Sequence, residues 1–126
     1  MMSCIFCNLK ENRIAENDLA FAVPDKYPAS LGHTLVITKR HCETFFDGTV
    51  EEHTAIADLL CKVKKILDKK HKPDGYNIEV NCGKHANQHI MHLHVHLVPR
   101  YKDGGDPREK ITGLGGKYAR HEKAKV

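Results

Sequence analysis

From Thr49 to about Lys70, apolar residues recur at helical spacing: Ile56, Leu59, Leu60, Val63, Ile66 and Leu67, with lysines between them. That periodicity predicts an amphipathic helix with one face on a core and its lysines in water. Thr49, followed three residues later by Glu52, has the form of a capping box and marks its start. Elsewhere the pattern changes to short runs. Arg13–Glu16 and Leu19–Val23 read as short strands joined by a polar turn, and 24–32 as a loop broken by Pro24, Pro28 and Gly32. His33–Thr38 is apolar and β-branched, a buried strand. Pro73-Asp74-Gly75 is a turn, Tyr76–Cys82 a strand, and Asn81 to Gln88 a polar loop. A last strand is predicted from His89 or Ile90 to Val98. Strands outnumber helices and their connections are short, which predicts an α+β fold, with one long helix packed on an antiparallel sheet.

The last strand carries the chemistry. In His92-Leu93-His94-Val95-His96, three histidines alternate with apolar residues. Alternate side chains of a strand share a face, so the imidazoles point one way and Met91, Leu93, Val95 and Leu97 the other. A core does not require three neighbouring imidazoles. At physiological pH an imidazole serves as metal ligand, nucleophile or acid/base.

Size and charge then narrow the partners. A chain of 126 residues makes one domain, with a core over about 1–100 and a Gly-, Lys- and Asp-rich loop or tail over 101–126. The formal charge of +4 suits a small anionic ligand and is too weak to argue for nucleic acid. No apolar run approaches a membrane span, and Met1 to Cys7 does not have the form of a signal peptide, so a cytoplasmic protein is expected. Five cysteines cannot all pair within one chain, and in a reducing compartment they are thiols or metal ligands.

Cys4-Ile5-Phe6-Cys7 has the spacing of a zinc half-site. No second cysteine pair follows, so histidines would complete it. His41 and His92, each near one end of a predicted strand, are the candidates. A redox dithiol is the weaker reading, because no helix starts between the two thiols to lower a pKa.

Taken in order, Cys4 to Cys7, Leu31-Gly32-His33-Thr34-Leu35-Val36-Ile37, Lys39-Arg40-His41, Asn81, Gln88 and His92 to Arg100 resemble the histidine triad (HIT) family of nucleotide hydrolases and transferases, and most of all its bacterial-type members with an N-terminal zinc site. The resemblance implies a HIT-like fold paired into a two-fold homodimer with a continuous sheet. It implies that His94 is a nucleophile at the α-phosphorus of a purine nucleotide, with adenosine the expected nucleoside. A nucleotidyl-histidine forms, and water then releases the monophosphate. His96 would bind phosphate oxygens and support the leaving group. Cys4, Cys7, His41 and His92 would hold a structural zinc ion. Asp25 would meet the ribose hydroxyls, Asn81 and Gln88 the phosphate or bridging oxygen, and His33 would supply an orienting hydrogen bond. Phe21, Val23 and Ile5 either wall a base pocket or pack in the core.

Two positions depart from the family pattern. Asn87 stands where glycine is usual, and Asn tolerates a left-handed backbone better than most residues. His89 stands where a serine or threonine serves the leaving group, and either replaces it as an acid or obstructs the site. The leading expectation is an enzyme cleaving nucleoside phosphoramidates or nucleotidyl adducts. The alternatives are a dinucleoside polyphosphate hydrolase, a nucleotidyltransferase, a zinc-stabilised nucleotide-binding protein with little turnover, and a metallohydrolase that ligates an ion with all three histidines.

Overall fold

The computed structural model describes residues 4–102. Five strands form one antiparallel sheet: β1 (Ala15–Glu16), β2 (Ala20–Pro24), β3 (Thr34–Thr38), β4 (Gly75–Glu79) and β5 (His94–Arg100), in the spatial order β1-β2-β3-β5-β4. One long helix among the described residues, α1 (Val50–His71), connects β3 to β4. Thr49 caps it as expected: its hydroxyl accepts from the Glu52 amide at 3.0 Å, and the Glu52 carboxylate accepts from the Thr49 amide at 2.9 Å.

Strand parity divides the protein into two cores. Ala20, Ala22, Val36, Leu93, Val95 and Leu97 face α1 and pack on Ile56, Leu59, Val63 and Leu67. The small alanines on β2 let the helix approach the sheet closely. On the opposite face, Phe21, Val23, Leu35 and Ile37 are covered by the N-terminal segment through Phe6, with Cys4, Leu9 and Ile90 beside it. His94 stands opposite Ile37 and His96 opposite Leu35, and directly opposed residues of paired strands share a face. Both histidines therefore lie on the face away from the helix.

Several boundaries differ from expectation. Ile66 falls outside the buried stripe and is 38% exposed. Strand β4 ends at Glu79 rather than Cys82. Strand β5 begins at His94, so His92 lies in the bend before it, and Met91 is on the surface rather than in the core. A competing set of hydrogen bonds holds that bend: the His92 amide donates to the Ile90 carbonyl and the Leu93 amide to the Cys42 carbonyl. Pro99 lies within a central strand, where proline is unusual. Pairing with β3 stops at Leu97, and the Pro99 carbonyl accepts from the Ser30 hydroxyl at 2.6 Å on that side. The missing N–H thus faces a place where no strand lies. The expected tail falls mostly on 103–126, outside the described residues.

Candidate functional site

Four of the sequence candidates converge at the N-terminal end of the histidine segment. The ligand atoms of Cys4, Cys7, His41 and His92 all lie within 4.8 Å of one another. Cys4 Sγ is 3.3 Å from His92 Nδ1, Cys7 Sγ is 3.2 Å from His41 Nδ1, and the two Nδ1 atoms are 3.2 Å apart. Ligands of a tetrahedral zinc ion, at ordinary Zn–S and Zn–N lengths, stand about 3.3–3.8 Å from one another, so the set fits that ion closely. The tautomer fits as well. His92 Nε2 is 2.8 Å from the Thr38 carbonyl, which can only accept, so Nε2 carries the proton and Nδ1 presents its lone pair to the cluster.

His41 owes its place to Arg40, a link that sequence spacing did not reveal. The Arg40 guanidinium grips both oxygens of Glu52 at 2.9 and 2.8 Å and donates to the Asp47 carbonyl at 3.0 Å. The residue next to His41 is thereby tied to the first turn of α1. Glu52 is buried, and Arg40 holds its carboxyl far below the usual range, at about 2.

Further along β5, His94 is turned the other way. Its Nδ1 is 2.7 Å from the His92 carbonyl and must donate to it, which leaves the Nε2 lone pair available. Burial pushes the His94 pKa below its ordinary value and favours the neutral, nucleophilic ring. The Phe6 ring meets His94 edge-on at 5.1 Å, and His94 is only 3% exposed.

His96, His33 and Asp25 form a second buried cluster. The Ala29 amide donates to His33 Nδ1 at 2.9 Å, so a neutral His33 carries its proton on Nε2. That Nε2 lies 3.0 Å from His96 Nδ1 and 3.2 Å from Asp25 Oδ2. The His33 proton thus points into the cluster, which suits a hydrogen-bond relay and not a metal ion, since a ligating imidazole needs a lone pair there. It also leaves neutral His96 with its proton on Nε2. Asp25 Oδ1 accepts from the Tyr27 amide at 2.8 Å, and burial raises the carboxyl to about 6.

A cavity of about 420 Å³ opens beside these clusters, lined by Ile5, Phe6, Val23, Asp25, Tyr27 and Leu35 among others. Of the three residues with two readings, Ile5 and Val23 line this cavity, while Phe21 is core, with Arg13 stacked over its ring at 3.9 Å. A second cavity of about 370 Å³ runs along Cys4, His41, Glu43, His89 and Met91. Ile5 and Ile90 are common to both.

The loop residues take different places. Exposed His89 lines the second cavity, near the cysteine–histidine cluster. Gln88 is buried and its amide is spent on backbone: Nε2 donates to the Glu43 and Ile90 carbonyls, and Oε1 accepts from the Gly83 amide. Both N–H donors are occupied, so donation to a phosphate requires that one of these bonds break. Asn81 donates to the Asn87 carbonyl at 3.3 Å. Asn87 adopts the left-handed backbone, with φ of 69°, the conformation a glycine would supply.

The chain matches the HIT domain family over residues 7–103. It is 38% identical over 119 residues to the adenosine 5′-monophosphoramidase hnt1 of Schizosaccharomyces pombe, covering 90% of this chain and 81% of that one. It is 37% identical over 107 residues to a 16.1 kDa HIT-like protein of Mycoplasma pneumoniae, covering 81% of this chain and 74% of that one. Among solved structures, a Zn-bound histidine triad family protein from Mycobacterium smegmatis superposes with a TM-score of 0.75 at 30% identity, over 99% of both chains.

Proposed function

The chain belongs to the HIT domain family, and from that premise we propose that it hydrolyses nucleoside phosphoramidates or nucleotidyl adducts at the α-phosphate, through a covalent nucleotidyl-His94 intermediate. The carrying observation is the 2.7 Å tie of His94 Nδ1 to the His92 carbonyl, which reserves the Nε2 lone pair for attack. In the first step Nε2 bonds to the α-phosphorus while the bond to the leaving amine breaks. The amine keeps the electron pair and takes a proton from His96 Nε2, His96 entering the step as the charged ring and leaving it neutral. In the second step water adds to phosphorus, the P–Nε2 bond breaks, and the water's proton passes to neutral His96, which becomes charged again. One difficult displacement becomes two easier ones. The phosphoramidase named among the relatives supports this leaving-group class and adenosine as the nucleoside. The cavity beside Asp25 is our assignment for the base and ribose.

Cys4, Cys7, His41 and His92 would hold zinc, a closed four-ligand ion that fixes the chain around His94 and touches no substrate. Two copies would pair through β4, the sheet's longer open edge, since β1 is only two residues long.

Brief mixing with adenosine phosphoramidate, rapid acid-free quenching and intact-mass measurement test the proposal, with AMP release followed in parallel. Wild type should gain an adenylyl mass and release AMP, and His94→Ala should do neither. AMP release by His94→Ala at the wild-type rate would sink the covalent mechanism.

A further inference from the structure

Neutral His33 and His96 fit together with one proton between them, from His33 Nε2 to His96 Nδ1 at 3.0 Å. If His96 becomes charged, as it does on accepting a proton from water, Nδ1 also carries hydrogen. Two N–H groups then face each other, and His33 cannot retreat to its other tautomer because the Ala29 amide occupies Nδ1. One acceptor stands beside both: Asp25 Oδ2, 3.2 Å from His33 Nε2 and 3.9 Å from His96 Nδ1. Its side chain is 1% exposed, as are those of both histidines, so water does not screen the carboxylate.

We propose that Asp25 is a positioning residue of the reaction itself, the counter-charge that lets the buried His33–His96 pair hold an extra proton, whatever contact it makes with ribose. The inference rests on the nucleotidyl-transfer reading above for its place in the mechanism, but not for its geometry. Among the described residues, the other titratable or charged groups that adjoin the cluster in sequence or strand register are His94 on the same strand face, Glu79 opposite His96 on β4, and exposed Lys26 next to Asp25. All three are retained in an Asp25→Asn variant, so the comparison isolates the one carboxylate.

The test begins without substrate. Histidine ring resonances of wild type and Asp25→Asn, both zinc-loaded, are followed by NMR against pH. Protonation of the imidazole pair should move down by about one pH unit or more in the variant, the scale set by removing an opposite charge at this distance. An unchanged midpoint overturns the inference. If the variant does not fold, wild type alone decides: the Asp25 carboxyl carbon and the His96 ring should share an inflection, and a carboxyl that titrates independently overturns the idea. The second arm compares adenosine phosphoramidate with its 2′,3′-dideoxy analogue. Asp25→Asn should lower kcat tenfold or more on both substrates. A loss confined to KM that vanishes on the dideoxy substrate reduces Asp25 to a ribose ligand and overturns the positioning role. If wild type turns over neither substrate, the proposed activity fails, while the titration still decides this inference.

Discussion

Replacing Glu52 by alanine should cost the fold about 2 kcal/mol, through contacts that link the helix start to the cysteine–histidine cluster. Glu52 accepts two hydrogen bonds from Arg40, at 2.9 and 2.8 Å, and one from the Thr49 amide at 2.9 Å. Hydrogen bonds to a charged group contribute about 1.5–3 kcal/mol, and a lost cap about 1 kcal/mol. Two facts reduce the sum. Alanine keeps the other half of the capping box, the Glu52 amide to the Thr49 hydroxyl. The Arg40 side chain is 52% exposed, so solvent screens the pair in part. A loss of about 2 kcal/mol in a domain of this size lowers Tm by roughly 6–12 °C. The pH dependence has a definite sign. The folded carboxyl, near 2, lies below its ordinary 4.5. Its contribution is therefore complete above pH 4.5 and is lost as pH falls from there toward 2. Urea denaturation of wild type and Glu52→Ala at a series of pH values measures the difference directly. Because acid would strip any thiolate-bound metal from both proteins, only the difference between them is read. A gap under about 0.5 kcal/mol at pH 7, or one that does not narrow between pH 5 and 3, refutes the account.

Because the same Arg40 adjoins His41, Glu52→Ala should also weaken zinc binding, by tenfold or more on the scale of outer ligand contacts; chelator competition gives the affinity, and an unchanged value separates the clamp from the cluster. Cys7→Ser should reduce bound zinc from one ion per chain to a small fraction and lower Tm, as read by elemental analysis and calorimetry; full retention of metal would place the ion elsewhere. In α1, Leu59→Ala should cost about 2–5 kcal/mol because Leu59 is 1% exposed in the main core. Half-exposed Ile66→Ala should cost less than about 1 kcal/mol, and denaturant midpoints rank the two. Asn87→Ala should destabilise by about 1 kcal/mol and Asn87→Gly should not, because residue 87 sits at φ of 69°; equal stability of the two variants would refute the strain argument.

Local signals were readable along the chain because short-range physics sets them. The periodicity of Ile56, Leu59, Val63 and Leu67, and the Thr49–Glu52 box, depend only on helix geometry. The convergence of Cys4, Cys7, His41 and His92 was visible through ligand chemistry and family resemblance together. What stayed hidden depends on long-range geometry. Arg40 stands out only as part of the Lys39-Arg40-His41 stretch, because nothing local says that its guanidinium reaches Glu52 twelve residues on. The resemblance gives Gln88 the phosphate or bridging oxygen as a partner but says nothing of the bond by which its amide staples the 83–90 loop to the Glu43 carbonyl. Strand β5 starts late because the His92 ring is drawn to the Thr38 carbonyl and the Leu93 amide to the Cys42 carbonyl, both partners that the linear sequence places far away.

Identical side chains at 92, 94 and 96 differ in chemistry because the backbone pins different ring nitrogens. The Thr38 carbonyl takes the Nε2 proton of His92 and frees Nδ1 toward the thiols. The His92 carbonyl takes the Nδ1 proton of His94 and frees Nε2. For His96 the agent is indirect: the Ala29 amide sets His33, and His33 sets His96 with its proton on Nε2. One ring thereby offers its Nδ1 lone pair, one its Nε2 lone pair and one its Nε2 hydrogen, although alternation alone makes the three look equivalent. The amide analogues of imidazole should therefore fail differently. Asn mimics the Nδ1 side of histidine and Gln approximates the Nε2 side. His94→Asn keeps a donor near the His92 carbonyl yet has no nucleophilic nitrogen, so it should fold, bind zinc and form no adduct. His92→Gln loses the ligating nitrogen and should shed zinc first. If His94→Asn instead loses metal as readily as His92→Gln, the two rings are not functionally separated, and the division of labour argued from their tautomers is wrong.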